Sequence, residues 1–324
     1  MKALRCVRHG LPDTLVVEDI DAPVPGPGEV LVQVKAAGVN FPDTLIIQNK
    51  YQFKPALPFT PGGELAGIVS AVGEGVTRAT VGQHVIGFVM WGAFAEQALV
   101  AQDQLVPMPE GMPFDVASAF LMTYGTCWHA LSDRAALRAG ETVLVLGAAG
   151  GIGIASIEIA KALGATVIAA ASSAEKLAVC RERGADMTID YQAEDLRTAL
   201  KTLTGGRGVD VVVDPVGGRY TEPALRSMAW RGRYLVVGFA DGEIPRVPLN
   251  LALLKGCSIV GVFWGDFLRR EPKRGESDVA ALFDLYRAHK IAPLVSARYD
   301  LEHASQAIQD LMQRRVRGKV VVTP

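Results

Sequence analysis

Cysteine is scarce in this chain, and the few cysteines it has are far apart. The 324 residues contain four of them, with no C-x-x-C pair: Cys6, Cys127, Cys180 and Cys257. This spacing argues against a disulfide framework and against redox chemistry built on paired cysteines. We interpret the four as reduced, mostly buried thiols of a cytoplasmic protein.

The chain also lacks an excess of charge of either sign. Its 33 Lys and Arg residues nearly balance its 34 Asp and Glu residues, for a formal net charge of -1 at pH 7. A balance this close to neutral offers no electrostatic reason to expect nucleic acid or an anionic membrane as a partner.

No segment has the pattern of a membrane span or a signal peptide. The apolar-rich stretch from Val143 to Ala171 is interrupted by glycines and by Glu158 and Lys161, which argues against a crossing. The first seven residues lack an apolar signal core and resemble a first strand. We therefore expect a cytoplasmic protein.

The length and the pattern of strands predict two domains. A chain of 324 residues is too long for one ordinary core. Short strands punctuated by Gly and Pro fill the first third, which is typical of a small β-barrel-like domain. Residues 114–131 have the pattern of one helix. Strands then alternate with helices, which predicts a doubly wound parallel sheet. Its predicted strands are Thr142–Leu146, Thr166–Ala171, Met187–Ile189, Val209–Asp214, Tyr234–Val237 and Ser258–Val262.

The parallel-sheet domain is expected to be inserted into the β domain. Two helices and a final strand, Lys319–Val322, follow the alternating region. We therefore predict a catalytic domain formed by residues 1–122 and 263–324, and a nucleotide-binding domain formed by residues 123–262.

A glycine-rich turn follows the first strand of the alternating region and leads into a helical pattern. It consists of Ala148, Ala149, Gly150, Gly151, Ile152 and Gly153. Gly150 and Gly151 would let the backbone approach phosphates, and Gly153 would let the helix pack close to the strand. The helix N-terminus offers free N–H groups to an anion. The motif predicts a dinucleotide site, and a tight turn without ligand is the alternative.

The second strand of this region ends without the acidic residue that usually binds the ribose 2′-OH of NAD. Ser172, Ser173 and Lys176 stand there instead and can donate to a 2′-phosphate, while Tyr191 could supply a further hydroxyl. This pattern favours NADPH. The alternative is a capped helix with a solvated lysine, because residues 172–175 also form a capping-box sequence.

With these residues in place, the chain resembles the medium-chain dehydrogenase/reductase superfamily, and within it the zinc-free quinone oxidoreductase branch that includes zeta-crystallin. The resemblance covers essentially the whole chain and implies an α/β fold, with a doubly wound parallel Rossmann sheet inserted into a GroES-like β-barrel domain. The markers are the segments 37–43, 61–67, 72–73, 81–85, 148–153, 214–218 and 318–320.

The zinc-dependent members of this superfamily carry ligands that are missing here. Asn40 stands where their first cysteine ligand would lie, and Gly63 where the histidine of their Gly-His-Glu motif would lie. The closely spaced cysteines of their structural zinc site are also absent. We expect no metal. The acceptor must then be electrophilic itself, such as a quinone or an enone.

The resemblance also implies positions for the site residues. Asn40, Asp43, Tyr51 and Thr126 would line the nicotinamide end, with Tyr51 donating to the reduced oxygen and Asn40 orienting ring or substrate. Asp43 fits a helix-start cap better than a catalytic acid. Leu45 replaces a tyrosine of well-known members. Five further residues at strand ends would contact the nicotinamide and its ribose, the aromatic ones being core residues in the alternative reading: Gly217, Gly238, Phe239, Phe263 and Trp264.

Three expectations concern phosphates, substrate class and assembly. The resemblance places Lys319 near the cofactor phosphates. The basic segment Arg269–Arg274 would suit the phosphates of a coenzyme A thioester, although a solvated charged loop is the favoured interpretation. An enoyl-thioester or enone reductase and a non-enzymatic NADPH-binding protein therefore stay open beside a quinone reductase. The apolar edge Cys257–Phe263 predicts a homodimer through strand pairing.

Overall fold

The structure, a computed structural model, describes all 324 residues and divides the chain into two compact units. The first unit comprises Met1–Met122 and Pro293–Pro324, and the second comprises Thr123–Ala292. The chain thus crosses from the first unit to the second between residues 122 and 123 and returns between residues 292 and 293. No helix combines the length and the apolar character that crossing a membrane requires.

The first unit is built on β strands. A two-stranded antiparallel pair stands beside a seven-stranded sheet in the order β14-β15-β3-β4-β5-β7, with β6 paired to β3. Its strands are β1 (Lys2–Arg5), β2 (Val16–Asp19), β3 (Glu29–Gly38), β4 (Glu64–Val72), β5 (His84–Phe88), β6 (Gln97–Ala101), β7 (Leu105–Pro107), β14 (Val295–Asp300) and β15 (Lys319–Thr323). Its helices are α1 (Phe41–Ile46), α2 (Phe114–Ala117) and α11 (Ala304–Met312).

Alternating burial along β3 explains how this sheet folds. Val30, Val32 and Val34 point into the core, and the residues between them are more exposed. This period of two is the pattern of a strand with one covered face. The terminal strand β15 pairs antiparallel with the end of β3, which brings the C-terminal segment next to residues 37–40.

The second unit is a six-stranded parallel sheet with helices in its connections, in the order β10-β9-β8-β11-β12-β13. The predicted doubly wound sheet is confirmed. Its strands are β8 (Thr142–Leu146), β9 (Thr166–Ala171), β10 (Met187–Asp190), β11 (Val209–Asp214), β12 (Met228–Val236) and β13 (Ser258–Gly261). Its helices are α3 (Thr126–Trp128), α4 (Gly151–Ala162), α5 (Ala174–Glu182), α6 (Leu196–Leu203), α7 (Thr221–Arg226), α8 (Asn250–Lys255), α9 (Trp264–Arg270) and α10 (Pro272–Arg287).

The strand order reverses between the central strands β8 and β11. From β8 the chain continues outward through β9 to β10, and from β11 it continues in the opposite direction through β12 to β13. In such sheets ligands bind beyond the carboxyl ends of the strands at this switch point. The glycine-rich turn follows β8 directly, so the topology puts it at the expected place for a nucleotide.

The helix predicted over residues 114–131 is not continuous. Helix α2 ends at Ala117, and π-helical segments at Leu121–Gly125 and His129–Arg134 flank the single turn α3. Gly125 ends the first of these π-helical segments, and the indole of Trp264 packs directly over its Cα. A side chain at position 125 would collide with that ring.

Residues 263–292 belong to the second unit rather than to the catalytic domain in which we expected them. Side chains of α9 and α10 pack on the segment that opens this unit. The Phe267 ring stacks on His129 at 4.1 Å between centroids, and Trp128 Nε1 donates to Asp278 Oδ1 at 3.2 Å. These contacts fix both helices to the parallel-sheet unit.

Candidate functional site

The turn after β8 presents a row of backbone donors. Gly150 occupies the N-cap of α4 and has no side chain to satisfy them. The first bond of the helix is donated by Ile154 N to Gly150 O at 2.8 Å. The amides of Gly151, Ile152 and Gly153 precede it and are the unpaired donors that open every α-helix. An anion at this position would meet these amides and the positive end of the helix dipole.

The glycines of this turn are required for different reasons. A Cβ on Gly153 would lie 2.4 Å from the carbonyl carbon of Ala148, so Gly153 allows the helix to pack against the backbone after β8. Gly150 has φ of -81°, which any residue adopts, and a Cβ there would first meet Gly147 O at 3.4 Å. Neither strain nor crowding within the protein requires glycine at position 150. The close approach of a ligand to this backbone would require it.

The end of β9 gathers the predicted 2′-phosphate residues. Lys176 Nζ donates to Ser172 Oγ at 3.2 Å. Tyr191 N donates to Ala171 O at 3.2 Å, which places Tyr191 beside the last residue of β9. The capping box expected at residues 172–175 is wrong, because the helix begins one residue later and Lys176, its third residue, has no side-chain acceptor to complete a box. Ser173 is the N-cap of α5 and accepts from Lys176 N at 3.3 Å.

Sequence reasoning missed two residues at this end of the sheet. The rings of Tyr191 and Tyr220 lie 4.3 Å apart, and the Arg219 guanidinium lies over the Tyr220 ring at 5.0 Å while donating to its hydroxyl. Tyr220 is itself buried, at 6% exposed, so the half-buried Tyr191 and the exposed Arg219 are the members of this group that a planar base could contact. Arg219 and Tyr220 directly follow Gly217 and Gly218 in the sequence. This position after a strand-end glycine pair could have indicated that they lie at this end of the sheet.

The loops after β11 and β12 are held together through Asp214. Its Oδ1 accepts from the amides of Val216 and Gly217 at 2.8 Å each, and its Oδ2 accepts from Tyr234 Oη at 2.5 Å. Gly217 has φ of +69°, and a Cβ there would meet the Phe239 ring at 2.8 Å. These bonds fix the loop after β11, which carries Gly217, and the close approach at Gly217 sets it against Phe239 in the loop after β12.

The remaining strand-end and helix-start residues differ in exposure. Gly238 and Thr126 are half-buried. Phe263 is 48% exposed and is therefore available to a ligand. Trp264 is only 3% exposed because its indole packs on Gly125. This burial agrees with the alternative interpretation of Trp264 as a core aromatic, and its contact with the nicotinamide stays a prediction.

The catalytic candidates of the first unit lie around the start of α1. Asn40 is the N-cap of this helix, and its backbone N–H donates to Asp43 Oδ2 at 2.7 Å. Asp43 therefore does cap the helix start, from its third residue. The side-chain amide of Asn40 donates to Gly38 O at 3.2 Å and to Glu64 Oε2 at 3.1 Å. Both side-chain donors of Asn40 are therefore used within the protein, which favours a positioning role over the direct contact to ring or substrate that we expected.

Lys319 is the partner that the sequence did not predict for Asn40. Its Nζ donates to Asn40 Oδ1 at 2.5 Å and to Val39 O at 2.9 Å, and it lies 3.6 Å from Glu64 Oε2. The side chain is 4% exposed, and burial lowers its pKa. The Lys319 ammonium thus forms its contacts inside the protein. We call Asn40, Asp43, Glu64 and Lys319 the buried network. The buried network therefore opposes the expected contact of Lys319 with the cofactor phosphates, which stays a prediction.

Asp43 and Tyr51 both titrate at higher pH than usual. Burial raises the pKa of Asp43 to about 7, against the effects of the Asn40 N–H and the Lys319 charge. Burial, reinforced by the Asp43 charge, raises the pKa of Tyr51. The Tyr51 ring packs against Phe53, with 5.8 Å between centroids, and its hydroxyl has no hydrogen bond within the protein. A neutral, uncommitted phenol can donate a proton or a hydrogen bond.

We expect Asp43→Asn to flatten the dependence of stability on pH. Because the pKa of Asp43 rises from 3.8 to about 7 on folding, the native state holds this proton longer. The tighter binding of this proton in the native state stabilises the protein fully below pH 3.8. This stabilisation is lost as the pH rises to 7, by up to about 1.4 kcal/mol per pH unit. Urea unfolding from pH 4 to 8 should show the gap between variant and wild type closing or reversing in favour of the variant. Asp13→Asn, on the surface, is the control, and parallel curves for Asp43→Asn and wild type would contradict the assignment.

No group of three or more His, Cys, Asp or Glu side chains is arranged to hold a metal ion. The basic segment Arg269–Arg274 spans the end of α9 and the start of α10 and is not a loop. Arg269 and Arg270 pair with Asp266, and Arg274 pairs with Asp133 at 2.5 Å. These exposed pairs satisfy the arginines within the protein.

Comparison with known proteins identifies the family. Residues 26–110 match the family Alcohol dehydrogenase GroES-like domain, and residues 151–282 match the family Zinc-binding dehydrogenase. The chain is 38% identical to quinone oxidoreductase-like protein 2 homolog of Nematostella vectensis, over 99% of this chain and 88% of that one. It is 35% identical to a quinone oxidoreductase of Pseudomonas aeruginosa, over 100% and 99% of the two chains.

Solved structures agree with these relatives. The mycobacterial protein Rv1454c complexed with NADPH superposes with a TM-score of 0.94 at 33% identity, over all of both chains. The Escherichia coli quinone oxidoreductase complexed with NADPH gives 0.92 at 29% identity, also over all of both chains. The resemblance stated from the sequence is confirmed: the chain is an oxidoreductase-family protein that belongs to the quinone oxidoreductase branch of the medium-chain dehydrogenase/reductase superfamily.

Proposed function

We propose that this protein is an NADPH-dependent oxidoreductase that transfers hydride to a quinone without a metal. The observation that carries the proposal is the pair of cofactor features in the second unit. The turn at Gly150 offers amides to a pyrophosphate, and the Ser172–Lys176 pair follows β9, where Ser172 stands in place of the acid that binds a ribose 2′-OH in NAD sites. Two relatives of the same fold are NADPH complexes.

The residues of the chain have distinct proposed roles. NADPH supplies a hydride from its nicotinamide when bound. The amides at residues 151–153 bind the pyrophosphate, with Ala149 beside them, while Ser172, Ser173, Lys176 and Tyr191 hold the 2′-phosphate. The nicotinamide and its ribose contact Thr126, Gly217, Gly238, Phe239 and Phe263. Tyr51 donates to the oxygen on which negative charge develops.

Lys176 should decide between the two nicotinamide cofactors. We expect Lys176→Ala to weaken NADPH binding by roughly tenfold or more, because hydrogen bonds to charged groups contribute about 1.5–3 kcal/mol. Binding of NADH, which lacks the 2′-phosphate, should stay unchanged. Fluorescence titration of both cofactors measures this, with the exposed Lys201→Ala on α6 as the matched control. An equal loss for NADPH and NADH would contradict the role of Lys176.

The proposed independence of metal rests on the donor set. Asn40 and Gly63 replace the expected ligands, and the Asn40 oxygen already accepts from the Lys319 ammonium at 2.5 Å. A positive charge at this distance disfavours a cation at the same oxygen. NADPH oxidation with naphthoquinone should survive dialysis against a chelator. Activity that appears only after zinc is added would refute the proposal.

Quinone reduction is favoured over enoyl-thioester reduction because the three arginines of segment 269–274 are already paired with carboxylates. NADPH oxidation should therefore be faster with naphthoquinone than with crotonyl-CoA. The reverse order would favour the thioester reductase. Tight NADPH binding without turnover of any quinone, enone or aldehyde would favour a non-enzymatic NADPH-binding protein.

We also propose a homodimer through the edge strand β13. Ile259 on this strand is exposed, and the neighbouring α8 region exposes further large apolar side chains: Trp230, Ile244, Leu249, Leu253 and Leu254. An apolar face of this kind is typical of an interface. Light scattering should give a dimer for wild type and for the surface control Val24→Glu, and a monomer for Leu253→Glu. A monomeric wild type would contradict the proposal.

A further inference from the structure

Glu158 is a buried carboxylate in the middle of α4. It is 6% exposed, and three donors satisfy it. Tyr124 Oη and Ala292 N donate to its Oε2 at 2.7 and 2.9 Å, and Arg183 Nη1 donates to its Oε1 at 3.1 Å. A buried charge is costly unless its partners are complete, so this side chain is held by a fully formed set of bonds.

Its partners lie at the two points where the chain passes between the units. The chain enters the second unit at Thr123 and leaves it after Ala292. Tyr124 is the second residue of the unit and Ala292 is the last. Arg183 also donates to Ala292 O at 3.1 Å. One carboxylate on α4 therefore binds both ends of the unit, and we call Glu158, Tyr124, Arg183 and Ala292 the clasp.

The entering segment also contacts the glycine-rich turn. Cys127 Sγ donates to Ile152 O at 3.3 Å, and Ser156 Oγ donates to Cys127 Sγ at 3.2 Å. Ile152 contributes one of the free amides of the turn. Residues 124–127 are thus bonded to α4 both at its first turn and, through Glu158, almost two turns further along.

We propose that Glu158 is a positioning residue that couples cofactor binding at the first turn of α4 to the order of both chain crossings. The proposal rests on the proposed function, because NADPH is the ligand of that turn. A cofactor bound at the turn restricts the motion of α4. Through the bonds of the clasp, this restriction also reduces the motion of residues 123–127 and 288–292. Asn40 and Tyr51 belong to the unit that is attached at these two crossings, so the clasp affects turnover more than affinity.

The test combines amide hydrogen exchange with kinetics on the full-length protein. The variants are Tyr124→Phe, Glu158→Ala and Glu158→Gln, and the control is Tyr299→Phe, which removes a hydroxyl that donates to Asp310 in the first unit. In wild type, NADPH should slow exchange in residues 123–127 and 288–292. Tyr124→Phe and Glu158→Ala should lose this protection. Glu158→Gln should keep part of it, since an amide oxygen can still accept from Tyr124 and Ala292.

We expect kcat with naphthoquinone to fall at least fivefold in Tyr124→Phe and Glu158→Ala, with the Kd for NADPH within threefold of wild type. Tyr299→Phe should match wild type in both. If Glu158→Ala does not fold, Tyr124→Phe alone decides. NADPH that binds wild type without protecting the crossings would overturn the coupling alone, as would a Tyr124→Phe protein that behaves as wild type. Failure of wild type to bind NADPH would overturn the proposed function instead.

Discussion

Alanine at position 153 is expected to destabilise the second unit and to weaken NADPH binding together. The added methyl would lie 2.4 Å from backbone atoms of Ala148, and backbone cannot move aside as a flexible side chain can. The first turn of α4 must therefore shift away from the end of β8. Overpacking of this kind costs about 1–3 kcal/mol, and the shifted amides no longer point at the pyrophosphate. Urea unfolding and NADPH titration measure the two effects.

Alanine at position 150 is the informative comparison, because it separates the two effects. The backbone of Gly150 already has a conformation that alanine adopts, and its Cβ would have 3.4 Å to the nearest protein atom. We expect the stability of Gly150→Ala to stay within about 0.5 kcal/mol of wild type. NADPH affinity should fall roughly a hundredfold, because the methyl occupies the approach of the phosphates. Unchanged NADPH affinity in Gly150→Ala would remove the turn from the cofactor site.

Continuous apolar runs allowed the central strands to be predicted to the residue. The predicted bounds of β8, β9 and β11 match the observed ones. Parallel strands that are buried on both faces are nearly continuous apolar runs, so their ends are easy to locate in the sequence. Strand β12 was predicted from Tyr234 but begins at Met228. Its first half contains the exposed residues Trp230 and Arg231, and Arg231 has φ of +61°. A strand whose first half is exposed and irregular has no such apolar signature.

Local motifs predicted the strand–turn–helix at residues 142–162 better than the contacts of the first unit. The residues 148–153 are close together in the sequence, and so are the residues 172–176. Their spacing alone therefore determines how each group is arranged. The network of Asn40, Glu64 and Lys319 does not have this property, since Lys319 is 279 residues from its partner Asn40. Only the pairing of β15 with β3 brings them together. A lysine near the C-terminus gave no local sign that its ammonium would be buried.

Substitution of Lys319 distinguishes the buried network from a phosphate contact. We expect Lys319→Met to lower the free energy of unfolding by about 3–5 kcal/mol, because removal of one member of a buried ion pair leaves an uncompensated charge. Burial raises the pKa of Glu64, so this carboxyl can escape the penalty by taking up a proton. The destabilisation should therefore be smaller at pH 5 than at pH 8.

The double variant Lys319→Met/Glu64→Gln is the control that assigns the loss to the charge. With Glu64 neutral, the carboxylate that paired with Lys319 no longer carries a charge, and the single amide oxygen can still accept from one of the two donors, Asn40 Nδ2 or Met122 N, that bond to separate oxygens of the carboxylate. We expect it to regain more than half of the stability that Lys319→Met loses. The Kd for NADPH of both folded variants should equal that of wild type, because the ammonium donates to Val39 and Asn40 and not to a phosphate. A selective loss of NADPH affinity in a Lys319→Met protein of normal stability would return Lys319 to the phosphate site and contradict the buried network.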